Sequence, residues 1–531
     1  MFQIIAAILI PFAASFLFFH NPATGGANLL PPLTSFIVIP ALGALAVMAL
    51  SEKAARWATL LMASLELGLA ARVFFIYQEI FHQNAAAGFQ LVEEVPWLKN
   101  FGINYILAVD GMSTLMVLLV ACVYFAGSLI SWSISLRIKE YFVLFNLLVC
   151  GVAGAYESVD LFFFFLFYEF AVLPMYLLVG IWGSGRKEYA AMKLTLMLLA
   201  GSAFMLVGFI AMYYTSQVHT FDLRVLGDLS KTGFSAGFQR AWFPLLFLGF
   251  GVISAIFPFH TWSPDGYGSA PTAASMLHAG VLKSLGGYSI IRVALPAMPD
   301  GAKYWLPLLV FMSLINILYA AIVALKQKDF KYVIAYSSVS HCGAILFGIC
   351  TLQTSGLNGA IIQTLSHGIV AAMTFALVGT VYGKAHTREL AKLGGLAACM
   401  PVLGGLFTAA AMANVGLPGL SGFVGEFLIF MGAYRSGYHG GFSIFQYLFP
   451  IAILAIVMTA VYYLRLVQMV FFGPLKDPHF KDEVKDGTFV EILPIAFLLC
   501  VSLLVGLYPK PFVDMSNAAI APLVEHIGGF K

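Results

Sequence analysis

Charge is what this sequence has least of. Asp, Glu, Lys and Arg make up 10% of its 531 residues, against 61% hydrophobic residues, and mean hydropathy is +0.91. That balance excludes a soluble enzyme and places the chain among multi-spanning membrane proteins. The formal net charge is only +3, with no Lys/Arg run and no basic–aromatic interleaving, so nucleic acid is not an expected partner and the lipid bilayer is. Paired cysteine is also missing. Cys122, Cys150, Cys342, Cys350, Cys399 and Cys500 stand singly in apolar stretches, without the CxxC or His/Cys spacing of zinc, haem or iron–sulfur sites, and read as small buried residues. Neither a GxGxxG fingerprint nor a Walker loop occurs, so no nucleotide cofactor is expected in this chain, and any redox chemistry falls to a partner.

What the chain has is long apolar runs. About 20 apolar residues cross a bilayer, and by that measure an N-terminal segment, Phe2 to Phe19, precedes fourteen further spans near 34–50, 57–80, 111–131, 139–157, 159–182, 189–214, 242–262, 273–296, 304–325, 331–352, 357–383, 399–436, 446–472 and 489–508. Residues 1–33 form an extension, read as a retained extra helix rather than a cleaved signal because no Lys or Arg precedes the apolar run. Lys and Arg collect in alternate connections, at Lys53/Arg56, Arg137/Lys139, Arg186/Lys187, Lys326/Lys328/Lys331, Lys384/Arg388/Lys392 and Lys476/Lys481/Lys485, which puts those connections on the cytoplasmic side.

Two spans carry breaks. One apolar helix is interrupted at Phe257-Pro258-Phe259-His260, turns through a polar Pro/Gly-rich link and re-enters as a helix bearing His278 and Lys283; the 399–436 segment, too long for one straight crossing, contains GLPGLSGF. Transporters use broken helices for ion sites, because unwound backbone is tolerated in a membrane only where it faces protein or water. The breaks are five spans apart, so 139–303 and 304–472 read as two five-helix repeats of inverted orientation, between N-terminal helices (34–138) and a C-terminal loop, helix and tail (473–531).

Charged groups inside spans mark function by default. Glu169 has about 10 apolar residues on either side, and Lys283 is as deep in its helix. His341 and His367 lie in neighbouring spans, and Glu426 follows just beyond the second break; two histidines that titrate near neutral pH, between a lysine and an acid, suit proton transfer. Lys193, close to the cytoplasmic Arg186/Lys187 end, either snorkels or takes part. Taken alone, His278 reads equally as a satisfied core histidine and as a proton relay. Glu66 and Arg72 lie outside the repeats and read as structurally paired with neighbours.

These residues sit in motifs that resemble a known family. VDGMS at 109–113, YEFAVLPMYLLVGIWG at 168–183, PFHTWSPDGYGSAPTAASM at 258–276, FKYVIAYSSVSHCG at 330–343, LSHG at 365–368, HTRELAKLGGL at 386–396 and GLPGLSGFVGEF at 416–427, in that order, are similar to the antiporter-like membrane subunits of respiratory complex I, of the subunit M (subunit 4) type. The resemblance implies an all-α fold of fourteen transmembrane helices in two inverted five-helix repeats, carrying protons within an NADH (or other donor):quinone oxidoreductase of the translocase class. It implies other membrane-arm subunits as partners, the bacterial inner membrane ahead of the thylakoid as location, and quinone, FMN and iron–sulfur clusters in partner subunits only. It also implies proton-translocating roles for Glu169, Lys193, Lys283 (displaced by about one place), His341, His367 and Glu426. One departure stands out: the family's lysine before the first break is replaced by Ile253 and Ser254, and no basic residue lies between Arg240 and His260. A subunit of a cation/proton antiporter or membrane-bound hydrogenase, and a scaffold with an impaired first half-channel, are the competing readings.

Overall fold

The computed structural model describes residues 2–18, 31–83, 88–230, 232–438 and 444–528. Among these, twelve helices are long and apolar enough to cross a membrane. Two interrupted runs add to them. Pro401–Val415 and Ser421–Tyr438 are the limbs of the second broken helix. The run from Thr272 to Ala297 alternates α- and π-helical turns. The N-terminal extension is helical over Phe2–Phe18 and packs on the long helix Glu52–Gln83, where a Cβ on Gly68 would collide with Ser15 and Phe12; the link after it lies outside the described residues.

The helices follow the repeat pattern read from the sequence. Ile138–Glu157, Leu161–Trp182, Lys187–Thr215, the broken Ala236–Ile253/Trp262–Ser269 pair and the Thr272–Ala297 run form the first unit. Pro299–Lys326, Phe330–Cys350, Thr354–Ala385, the broken Pro401–Val415/Ser421–Tyr438 pair and Ile444–Phe471 form the second. Their caps correspond. The second helix of each unit starts at an aspartate whose carboxylate accepts from its first turn, Asp160 from Phe162 and Phe163 and Asp329 from Lys331 and Tyr332. Each aspartate also bridges to a following loop, Asp160 to Asp222 and Asp329 to Glu389, and the charge pattern puts the first pairing outside and the second inside.

Lipid tails give no hydrophobic drive to helix association, so close packing must supply it, and small residues permit that approach. Gly280 and Gly368 are such a pair: a Cβ on either would come within 2.7 Å of the other's carbonyl oxygen. The Thr272–Ala297 run and Thr354–Ala385 therefore touch backbone to backbone, next to Lys283 and His367.

Three features depart from the sequence reading. The link WSPDGYGS, expected as a turn, folds as a buried helix, Trp262–Ser269, whose Trp262 indole N–H donates at 3.0 Å to the Val252 carbonyl, which also accepts from the Ala255 N–H at the break. Residues 90–109 form an antiparallel hairpin, Gln90–Leu98 with Ile103–Val109, an addition to an otherwise helical fold. The C-terminal tail contains a helix, Lys510–His526, anchored by Asn517 and Ser516 on Asn358 (2.9 and 2.8 Å).

Candidate functional site

Four of the predicted residues form one row, Lys283 from the last run of the first unit and His341, His367 and Glu426 from the second. Lys283 follows a π-turn in which its backbone N–H donates to the His278 carbonyl, five residues back, at 2.9 Å; such turns recur at functional sites because they rotate one side chain out of helical register. The Lys283 side chain is buried, and its ammonium donates to Ser338 Oγ at 2.9 Å, 5.6 Å from the face of Tyr267. Having accepted from lysine, the Ser338 hydroxyl is free to donate to His367 Nε2, also at 2.9 Å.

The row continues from His367 to His341, whose rings lie 5.1 Å apart at 31°. His341 Nδ1 is 3.7 Å from Glu426 Oε1, and the Gln363 amide sits between them, 3.4 Å from the imidazole and 3.5 Å from the carboxylate. These are long for direct hydrogen bonds, a spacing that water completes. A cavity of about 20 Å³ lined by Ser340, His341, Glu426 and Thr459 has room for about one water molecule. The break fixes Glu426: Gly416 adopts φ +79°, and a Cβ there would come 2.6 Å from Glu426 Oε2, so only glycine fits both the turn and the approach. The first break is tied to the same row by Asn316, which accepts from the Phe257 N–H (3.0 Å) and donates to the Val339 carbonyl (2.9 Å).

The first unit is arranged differently. Glu169 is part-buried, with Ser202 of the next helix as its hydroxyl neighbour. Its Oε1 is buried with no hydrogen-bond partner. Ile253 and Ser254 are buried at the end of the broken helix, so the position that resembles a lysine site holds no cation. Lys193 does not turn to Glu169: its ammonium pairs with Asp265 Oδ2 at 2.7 Å, and the Tyr332 hydroxyl donates to Asp265 Oδ1 at 3.3 Å. Both members of the pair keep about a fifth of their side-chain surface exposed, which is snorkelling with a counter-charge. The structure therefore brings Lys283, His341, His367 and Glu426 together and leaves Glu169 and Lys193 apart.

His278 is buried in an aromatic cage, stacked on Trp262 (5.2 Å, 29°) and edge-on to Tyr267, but neither ring nitrogen is hydrogen-bonded among the described residues, so it is not a satisfied core histidine. The expected structural pairing holds for Arg72, which meets Glu79 at 3.9 Å. It fails for Glu66, whose two oxygens have no hydrogen-bond partner among the described residues. Sequence reasoning missed Ser338, Gln363 and Asp265. Asp265 carried a signal, an acid directly after a helix break, whereas Ser338 and Gln363 are uncharged residues of a kind that spans tolerate anywhere.

Comparison with known proteins bears on the fold and the family. The family model described as NADH:quinone oxidoreductase/Mrp antiporter, TM, matches residues 158–464. The NADH-quinone oxidoreductase subunit M of Rickettsia conorii is 38% identical over 455 residues, covering 85% of this chain and 89% of that one. The NAD(P)H-quinone oxidoreductase chain 4 of Gloeobacter violaceus is 34% identical over 490 residues, 92% and 91% of the two chains. A chain in the structure of respiratory complex I from Thermus thermophilus with bound NADH superposes with a TM-score of 0.80 at 27% identity, over 94% of this chain and all of that one. A chain of the Mrp complex from Dietzia shares the fold, with a TM-score of 0.75 at 21% identity over 94% and 99%. With two inverted five-helix units, two broken helices and subunit M and chain 4 proteins among its relatives, the chain belongs to the antiporter-like membrane subunits of the NADH:quinone oxidoreductase/Mrp antiporter family, of the subunit M (chain 4) type.

Proposed function

We propose that this chain is a proton-carrying membrane-arm subunit of an NADH (or other donor):quinone oxidoreductase in the bacterial inner membrane, a translocase in which redox groups (FMN, iron–sulfur clusters and quinone) belong to partner subunits. The observation that carries this reading is the buried row Lys283–Ser338–His367–His341–Glu426, with Gln363 beside its last step. Hydrogen bonds already join Lys283, Ser338 and His367, the steps to His341 and Glu426 need a bridging water or a small side-chain movement, and the row ends at a helix break, where freed backbone and a small cavity admit water.

The order of events follows from the contacts. A proton on Lys283 passes to His367 through Ser338, the hydroxyl accepting on one side and donating on the other, then to His341 and Glu426. Because an unpaired charge inside a membrane is costly, protonation at one place disfavours a second charge nearby, which couples the steps to each other and to neighbouring subunits. Glu169 and Lys193 belong to the entry half; with no lysine at Ile253, the Lys193–Asp265 pair is the charge switch there. Donor-driven proton uptake into vesicles by the complex bearing Glu426→Gln tests the reading: pumping falls while electron transfer continues, whereas unchanged pumping refutes it.

The weakened entry half favours a second reading, a subunit retaining the fold while its first half-channel is impaired. In that case Glu169→Gln leaves the number of protons per electron unchanged and Glu426→Gln does too.

A further inference from the structure

Two buried carboxyls lie away from the Lys283–Glu426 row and from the Lys193–Asp265 pair. Glu66, in the interior of helix Glu52–Gln83, and Glu157, the last residue of helix Ile138–Glu157, are each 0% exposed, and all four of their oxygens lack a hydrogen-bond partner among the described residues. They stand within electrostatic range of each other. Tyr124 and Cys150 are within the same range of Glu66, and Tyr105, Cys150 and Glu93 of Glu157. No lysine, arginine or histidine is in that set.

Glu93 continues the line outward. It lies in the hairpin strand Gln90–Leu98, only partly buried, on the side opposite the Lys53/Arg56 and Arg137/Lys139 connections. Its carboxylate accepts from the N–H groups of Leu33 (2.7 Å) and Thr34 (2.8 Å) and from the Thr34 hydroxyl (2.6 Å), which also meets the Tyr105 hydroxyl at 3.0 Å. Burial nonetheless holds the Glu93 carboxyl above the usual carboxylate range. Glu66 starts roughly 21 Å along its helix from Glu52, at about 1.5 Å per residue, and Glu157 lies at the outer end of its own helix beneath the bridge between Leu107 and Ser158. The three acids thus run from mid-membrane to the outer surface.

Two neighbouring carboxylates buried from water, with no hydrogen-bonded cation among the described residues, strongly disfavour double ionisation, so the pair holds at least one proton. A carboxylic acid kept for structure alone donates its O–H to a fixed acceptor; neither of these does. An apolar residue of similar size would be cheaper at either position.

We propose that Glu66 and Glu157 form a second proton-carrying site, an acid pair that exchanges a proton with the outer face through Glu93. The step moves a proton only: an O–H bond breaks on one carboxyl and forms on the next, with water between them and no change in oxidation state. The inference rests on the proposed proton-carrying function and adds a conduit between the N-terminal helices and the first repeat.

The test uses the assembled complex in vesicles. Glutamine reproduces the shape and neutrality of a protonated glutamic acid, so a structural role survives Glu66→Gln and Glu157→Gln, whereas a titrating role does not. The expected result is a lower ratio of protons taken up to electrons transferred in each variant, restored toward the original by Glu157→Asp. A ratio equal to that of the unsubstituted complex overturns the inference. Should the variants fail to assemble, labelling of the unsubstituted complex by a hydrophobic carbodiimide, which attacks protonated carboxyls, is read by mass spectrometry at rest and during turnover; identical labelling of Glu66 and Glu157 in both states overturns it too. Glu426→Gln is measured in parallel. If it alone lowers the ratio, the acid pair is refuted and the proposed function stands; if no variant lowers it, the proposed function fails as well.

Discussion

Removing the hydroxyl of Ser338 perturbs the row at its narrowest point. Ser338→Ala deletes the one atom that bonds both the Lys283 ammonium and the His367 ring, each at 2.9 Å, and leaves no side-chain bridge between two groups that lie up to about twice that distance apart. A hydrogen bond to a charged group contributes about 1.5–3 kcal/mol. If about 2 kcal/mol of that is felt in the transfer step, the step slows roughly 30-fold, at 1.36 kcal/mol per tenfold. The assay is donor-driven proton uptake in vesicles alongside quinone reduction. Proton uptake per electron should fall in Ser338→Ala and recover in Ser338→Thr, which keeps the hydroxyl. An alanine variant that assembles and pumps normally would show that protons do not pass through Ser338.

Three further outcomes follow from the same geometry. Gly368→Ala places a methyl about 2.6 Å from the Gly280 carbonyl, so the helices must part at an overpacking cost of about 1–3 kcal/mol; quantitative immunoblotting of membranes should show less assembled complex. Ile253→Lys buries a cation where Ile253 is 1% exposed; it should be tolerated while Glu169 can pair with it and should abolish assembly in combination with Glu169→Gln, since an unpaired buried charge costs about 3–5 kcal/mol. Equal assembly of the single and double variants would show that position 253 does not face Glu169. For the part-exposed Lys193–Asp265 pair, a double-mutant cycle with Lys193→Met and Asp265→Asn should give a coupling of about 1 kcal/mol in thermal stability, with none expected between Lys193 and Glu169.

Much of this was legible in the sequence because a membrane makes charge conspicuous. Lys283, His341, His367 and Glu426 each interrupt a long apolar run, and the breaks at Pro258 and Gly416 announce unwound backbone. What stayed hidden has physical reasons too. Ser338 and Gln363 are uncharged and look like ordinary span residues until the fold places them between titrating groups. The π-turn before Lys283 changes no residue type. Asp265 sat in a segment polar enough to pass for a loop, yet that segment folds as a buried helix. Glu157 was masked by its place at a helix end, where an acid ordinarily meets water, and the hairpin over it, with its Glu93-Glu94 pair, carries no clean alternation.

The central claim is that Glu426 ends a working proton row. Its most direct test is the number of protons taken up per electron transferred by the intact complex carrying Glu426→Gln, measured in sealed vesicles at an electron-transfer rate matched to the unsubstituted complex. The account predicts a lower ratio, with assembly unchanged; a ratio equal to that of the unsubstituted complex would contradict it.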